Sequence, residues 1–321
     1  MGGGGGGGGG CGGLRRRRRR YAVLVCAEEE PEHVRRAHGG YFGVFAKLLG
    51  DHNNGAEDDG EEEEEEGEVW VAYRAARGEL PQEEEEEGYD GFVVTGSCSD
   101  AHGDDPWITD LVRFLQKLIA CRKKVLGICF GHQVPARQNA SSSSSSSSLW
   151  NANVRSKHSY HATILCRALG GKTGRAANGW DLGVTCIHPS HSTIKRLSAL
   201  HIPPHLPVIE CHRDEVWEVP PQAEVMASSE KTGVEMFRYG DHILGIQGHP
   251  EYTKDILLHL LDCLLQRKLI QSSHAEAAKA SLEAQKPDRE AWKRLCKEFL
   301  KGKLFSTQYI VEEAQIRSRL G

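Results

Sequence analysis

The sequence predicts an α/β fold: a doubly wound, mostly parallel sheet with helices on both faces, followed by C-terminal helices. Two observations carry this. Apolar runs of strand length alternate with amphipathic helical patterns through the first half of the 321 residues, as expected when each strand is followed by a crossover helix. Two of those strands run directly into glycine-containing turns, at Thr95-Gly96-Ser97 and at Gly127-Ile128-Cys129, and in doubly wound sheets the carboxyl ends of strands are where sites form.

Taken in order, residues 21–27 (Tyr-Ala-Val-Leu-Val-Cys-Ala) read as the first strand and 41–49 as a helix. Strands follow at 69–73 and 91–95, then a helix at 107–121 and a strand at 124–128. The second half is richer in short strands, at 182–187, 208–211, 225–228, 234–239 and 243–247, and a helix over 253–269 closes the set. Residues 274–285 and 289–300 have helical periodicity, with Pro287 in the break between them. The expected organisation is a Gly/Arg-rich low-complexity tail (1–20), one catalytic domain (21–272), a helical extension (273–305) and an unassigned tail (306–321).

Composition narrows the function classes. The net charge is −5, with the acidic excess gathered in runs such as 61–66 and 83–87, which read as solvated loops. The arginine run 15–20 follows polyglycine and has no interleaved aromatics, so no nucleic-acid partner is expected. Ten cysteines without a Cys-x-x-Cys pair indicate neither a disulfide framework nor a zinc site, and suit a reducing compartment. The apolar run 21–27 ends in Glu28-Glu29-Glu30, too short for a signal peptide or a membrane span. The expected location is the cytosol, with no membrane partner.

Chemistry enters at Lys124-Val125-Leu126-Gly127-Ile128-Cys129-Phe130-Gly131-His132-Gln133. A strand running into Gly-x-Cys-x-Gly is the cysteine form of a nucleophile elbow, a strained turn that presents one side chain for attack. A helix beginning there would favour the Cys129 thiolate. The matching base is at Ile243-Leu244-Gly245-Ile246-Gln247-Gly248-His249-Pro250-Glu251, where Pro250 biases His249 towards extended backbone, so that His249 and Glu251 project the same way. Cys129 as nucleophile, His249 as base and Glu251 as its orienting carboxylate make a triad.

These two motifs together resemble the class I glutamine amidotransferase family and, more closely, its plant γ-glutamyl peptidase branch. The closer likeness rests on residues 21–27, Gly39-Gly40-Tyr41-Phe42, 89–97, Gly103-Asp104-Asp105-Pro106-Trp107-Ile108, Cys211-His212-Arg213-Asp214-Glu215-Val216 and 291–302, and it spans about 21–305 with two gaps. The resemblance implies a flavodoxin-like fold and a hydrolase acting on γ-glutamyl peptides such as glutathione conjugates, without a metal or organic cofactor. By resemblance, Gln133 and the His212, Arg213 and Asp214 loop help hold the glutamyl α-amino and α-carboxylate groups. Gln133 as a solvent-facing helix residue and His212 with Asp214 as a hydrogen-bonded turn remain open alternatives. Oxyanion donors are expected from the Phe130 backbone and from Gly96 or Ser97. Cys98, without an elbow, reads as a bystander.

Two other functions stay in play. One is a glutaminase feeding ammonia to a partner, against which stands the lack of a nucleotide-binding glycine motif between a strand and a helix. The other is a catalytically silent binding protein, disabled by residues 134–163. That stretch, with Pro135 and the serine run 141–148, interrupts a helix that would otherwise continue from Gln133 into Ile164-Leu165-Cys166-Arg167-Ala168-Leu169-Gly170-Gly171, and its composition predicts little order.

Overall fold

The computed structural model describes residues 17–50, 67–97, 99, 105–129 and 164–305. In chain order the elements are β1 (Arg20–Leu24), α1 (Glu32–His38), α2 (Gly40–Leu49), β2 (Val69–Tyr73), α3 (Glu83–Glu86), β3 (Gly91–Val94), α4 (Pro106–Ala120) and β4 (Lys124–Ile128). After these come α5 (Ile164–Ala168), β5 (Lys172–Arg175), β6 (Asp181–Pro189), α6 (His191–Arg196), β7 (Leu206–His212), β8 (Asp214–Glu218), β9 (Ala223–Ser228), β10 (Met236–Tyr239) and β11 (Ile243–Ile246). Helices α7 (Lys254–Gln266), α8 (Ser272–Ala284) and α9 (Arg289–Leu300) complete the order.

The main sheet runs β2-β1-β3-β4-β11-β10-β9-β6-β7. Its first five strands are parallel, and β10, β9, β6 and β7 extend it antiparallel. The sheet is therefore mixed, a parallel core with an antiparallel wing; β9, β10 and β11 follow one another through connections too short for a crossover helix. One face of the core packs Phe45, Leu48 and Leu49 of α2 with Trp292, Leu295 and Phe299 of α9. The other packs Ile108, Leu111 and Leu115 of α4 with Ile164 and Leu165 of α5. Helices thus cover both faces, as the alternating pattern predicts. The strands at 69–73 and 124–128 and the helix at 289–300 coincide with their predicted spans, and most other boundaries shift by one to three residues. Helix α5 ends on the expected glycine, Gly170, in left-handed backbone.

Several elements differ from the sequence reading. Helices α1, α3 and α6 and the two-stranded β5-β8 sheet carry too few apolar residues to announce themselves. The acidic run 83–87, read as a solvated loop, forms the turn of α3 over 83–86, the Gln82 N–H donating to Glu85 Oε2 at 3.0 Å, and Glu86 is buried and paired with Lys117 at 3.1 Å. The stretch 211–214, read as a loop, is reduced to Arg213: His212 ends β7 and Asp214 opens β8 over 214–218, a strand the sequence reading did not assign. The interruption at 134–163 lies outside the described residues. Among the described residues no helix is long and apolar enough to cross a membrane.

Candidate active site

Strands β3, β4 and β11 lie side by side in the parallel core, and the candidate residues follow their carboxyl ends. Cys129 leaves β4 with φ +30°, the left-handed, strained backbone of an elbow, and its N–H donates to the Ile246 carbonyl at 2.8 Å. Gly96 follows β3 and packs against both partners. A Cβ placed on it would lie 3.0 Å from His249 Cε1 and 3.7 Å from the Cys129 carbonyl oxygen. Gly96 is thus the wall between the elbow and the imidazole, thin because it has no side chain. Ser97 is buried beside it, and its hydroxyl accepts from the Ser99 N–H at 3.0 Å.

His249 is fixed from three directions. Its backbone N–H donates to the Ile209 carbonyl at 2.7 Å, so β7, last in the sheet order, returns to bind the segment leaving β11. Its Nδ1 lies 2.8 Å from Glu251 Oε1, both side chains being buried. Its ring stacks on Tyr252 with centroids 3.8 Å apart and planes 8° from parallel. The Nδ1–H bond to a carboxylate leaves Nε2 as the proton acceptor, the tautomer a general base needs. The carbonyls of Glu251 and Tyr252 both accept from the Arg289 guanidinium, the former at 2.9 Å, so the first residue of α9 holds the His-Pro-Glu turn.

The electrostatics around Cys129 run against the sequence expectation of a favoured thiolate. Burial pushes its thiol well above the ordinary value, and Glu210, Cys211, Glu251 and Asp214 push further. The helix expected to offset this begins at Phe130, outside the described residues, as are Gln133 and Cys98. Gln247, which the sequence reading passed over, points Nε2 at Cys129 Sγ at 3.9 Å.

The Cys-His-Arg-Asp segment divides. Arg213 is exposed. His212 is buried, and its Nδ1–H donates to the Asp214 carbonyl at 2.9 Å, while its Nε2 faces Glu210 Oε2 at 3.2 Å. The Asp214 carboxylate is buried with Arg175 Nε 3.4 Å away. Tyr252, Arg289 and Glu210 are the neighbours that sequence reasoning missed. The only signals were that Tyr252 directly follows the His-Pro-Glu motif and that Glu210 sits two residues before His212.

An α/β fold with an elbow cysteine and a carboxylate-oriented histidine defines a class. In architecture the chain is similar to a crystal structure of a glutamine amidotransferase from Thermotoga maritima (TM-score 0.55, 17% identity, 89% of this chain and 99% of that one). It is also similar to a glutamine amido transferase from Methylobacillus flagellatus (TM-score 0.53, 15% identity, 89% and 96%). Residues 68–257 match the family model for class I glutamine amidotransferases. Among curated proteins, gamma-glutamyl peptidase 5 of Arabidopsis thaliana is 41% identical over 272 residues, 84% of this chain and 91% of that protein. Gamma-glutamyl peptidase 3 of the same plant is 40% identical over 274 residues, 84% and 92%. The chain belongs to the class I glutamine amidotransferase family.

Proposed function

We propose that this chain hydrolyses the γ-glutamyl amide bond of γ-glutamyl peptides, glutathione conjugates among them, through a γ-glutamyl thioester. The observation that carries the reading is the buried His249–Glu251 pair at 2.8 Å, packed against the same glycine as the strained Cys129 backbone.

His249 takes the Cys129 proton as the sulfur attacks the γ-carbonyl carbon. The raised thiol makes proton transfer part of the attack, with no resting thiolate required. The tetrahedral oxyanion is received by the Phe130 N–H and one from Gly96 or Ser97. His249 returns its proton to the departing amine, and the thioester forms. Water enters, loses a proton to His249 and attacks the thioester, which releases glutamate and restores the thiol. Glu251 holds the imidazole and stabilises its charged form. Arg213 is assigned to the α-carboxylate and the Gln133 side-chain carbonyl to the α-amino group of the glutamyl unit; His212 and Asp214, turned towards Glu210 and Arg175, support that loop from behind.

Peptides rank above free glutamine because the relatives at 37–41% identity are named gamma-glutamyl peptidases. Those named putative glutamine amidotransferases are 22–29% identical over shorter stretches. The test is hydrolysis of a glutathione S-conjugate and of glutamine by the purified protein, beside Cys129→Ala. The expected result is turnover of the conjugate at higher kcat/KM than glutamine, lost in the variant. Preference for glutamine overturns the substrate, and failure of a thiol-reactive glutamine analogue to label Cys129 in folded protein supports the silent reading instead.

A further inference from the structure

Behind the candidate active site, Glu210 and His212 project from the same face of β7, being two residues apart, towards Glu235, which immediately precedes β10. The three are 0, 2 and 1% exposed. Among the described residues, both oxygens of Glu210 and Nε2 of His212 have no hydrogen-bond partner, and the Glu235 carboxylate has only the Ser229 hydroxyl nearby. One ligand atom from each lies within 4.8 Å of the other two. Buried carboxylates are rarely left without a compensating charge. The local cations are committed elsewhere: Lys231, whose charge reaches Glu210, binds Asp181 at 2.9 Å, and Arg175 faces Asp214.

The orientation of His212 sharpens the question. Its Nδ1–H is given to the Asp214 carbonyl, which can only accept, so in the neutral ring the Nε2 lone pair points at Glu210 Oε2 3.2 Å away, whereas a protonated ring would pair with it as an ion. Two electron-rich atoms face each other at a distance that suits two ligands of one ion, since donors bound at about 2.0–2.2 Å stand roughly 3–3.5 Å apart. An imidazole anchored through one N–H to a carbonyl, with the other nitrogen aimed among carboxylates, is the usual arrangement of a metal-bound histidine. Two carboxylates and a neutral imidazole carry two negative charges, which a divalent ion cancels. The mixed nitrogen and oxygen donors suit a first-row transition ion better than Ca²⁺ or Mg²⁺.

We infer that Glu210, His212 and Glu235 form a buried structural site for one divalent first-row transition ion, of which Zn²⁺ is the natural candidate. The ion ties β7 to the residue that opens β10. It also sits behind the segment carrying His249: the Gln247 N–H donates to the Glu235 carbonyl at 2.8 Å, and a Cβ on Gly248 would lie 2.4 Å from Glu210 Oε1. No spacing motif announces the site, because two ligands come from β7 and the third from the turn before β10. A surface group of His33, His38 and Asp255 makes a weaker case, because both histidines already bond Asp255, at 3.3 and 2.7 Å.

The competing occupant is a proton shared within the cluster, and metal analysis separates the two. Full-length protein, refolded with Zn²⁺ and dialysed, is expected to keep about one zinc per chain and to melt at a higher temperature than protein refolded with chelator. With Co²⁺ instead, d–d absorption without strong thiolate-to-cobalt charge transfer is expected, which excludes the cysteines as ligands. Glu235→Gln should lose the bound metal and the Tm difference. Glu210→Lys, which removes a ligand and offers Glu235 a fixed positive charge, should fold without metal. The inference is overturned if wild-type protein folds without retaining metal and melts alike with zinc or chelator, if Glu235→Gln or Glu210→Lys keeps full metal content, or if the cobalt spectrum is that of thiolate ligation. None of these readouts uses peptide hydrolysis, so the outcome stands apart from the catalytic proposal.

Discussion

Glu251 and Gly96 show how single atoms set the proposed chemistry. In Glu251→Gln the neutral amide can stay within reach of His249 Nδ1 but no longer stabilises the charged ring or enforces one tautomer. A fall in kcat of about 10²–10⁴-fold with KM little changed is expected for the glutathione conjugate, and a loss below threefold would remove Glu251 from the mechanism. Gly96→Ala tests placement. The new methyl would sit 3.0 Å from His249 Cε1, forcing the ring to shift by tenths of an ångström, and misplacement of reacting groups on the ångström scale costs about 10²-fold. For a shift of a few tenths the expected outcome is a several-fold loss of turnover, below the about 10²-fold of a full ångström, with thermal stability close to wild type; unchanged turnover would mean the imidazole is not held against this wall. Cys129, His249 and Glu251 were legible in the sequence because an elbow and an imidazole–carboxylate pair each need residues within a few positions of one another. Tyr252 stacked on the ring and Arg289 on the turn were not, since stacking and clamping leave no local pattern.

Helix α9 links core packing to the site, burying Trp292 and Phe299 while its first residue, Arg289, holds the turn that bears His249. Its buried lysine gives a pH test. Burial, with Lys301 nearby, lowers the Lys297 pKa to about 8 from 10.5. Below pH 8 both folded and unfolded chains carry the charge, and the folded state bears the full cost of holding it in poor solvent. As pH rises from about 8 to 10.5 the folded state releases its proton first, so the cost fades and relative stability rises. Lys297→Met should therefore be more stable than wild type at neutral pH, by a margin that narrows towards pH 10. Denaturant melts across that range check it, and a constant margin would refute it. The helix itself was readable from its apolar periodicity. Strand β8 was not, because Asp214-Glu215-Val216-Trp217-Glu218 has two apolar side chains and pairs with a strand, β5, that has none.

For the molecule as a whole, the stretch 134–163 separates β4 from α5 along the chain. A chain lacking it joins Gln133 to Ile164, where the sequence pattern predicts one apolar-faced helix leading to Gly170. That chain is expected to fold and to hydrolyse the conjugate at least as fast as the full-length protein; a folded but inactive deletion would show that the stretch contributes to the site. The parallel core, its covering helices and the elbow follow from local information: strand-length apolar runs, 3.6-residue periodicity and glycines at sharp turns act over a few residues, and each leaves its mark in order along the chain. The return of β7 to His249, the stacking of Tyr252, the clamp from Arg289 and the gathering of Glu210, His212 and Glu235 depend on which segments the sheet brings together. Most of those contacts join residues tens of positions apart, as Ile209 with His249, Arg289 with Glu251 and Glu210 with Glu235, and even the close pair His249 and Tyr252 meets through ring stacking that no sequence pattern specifies.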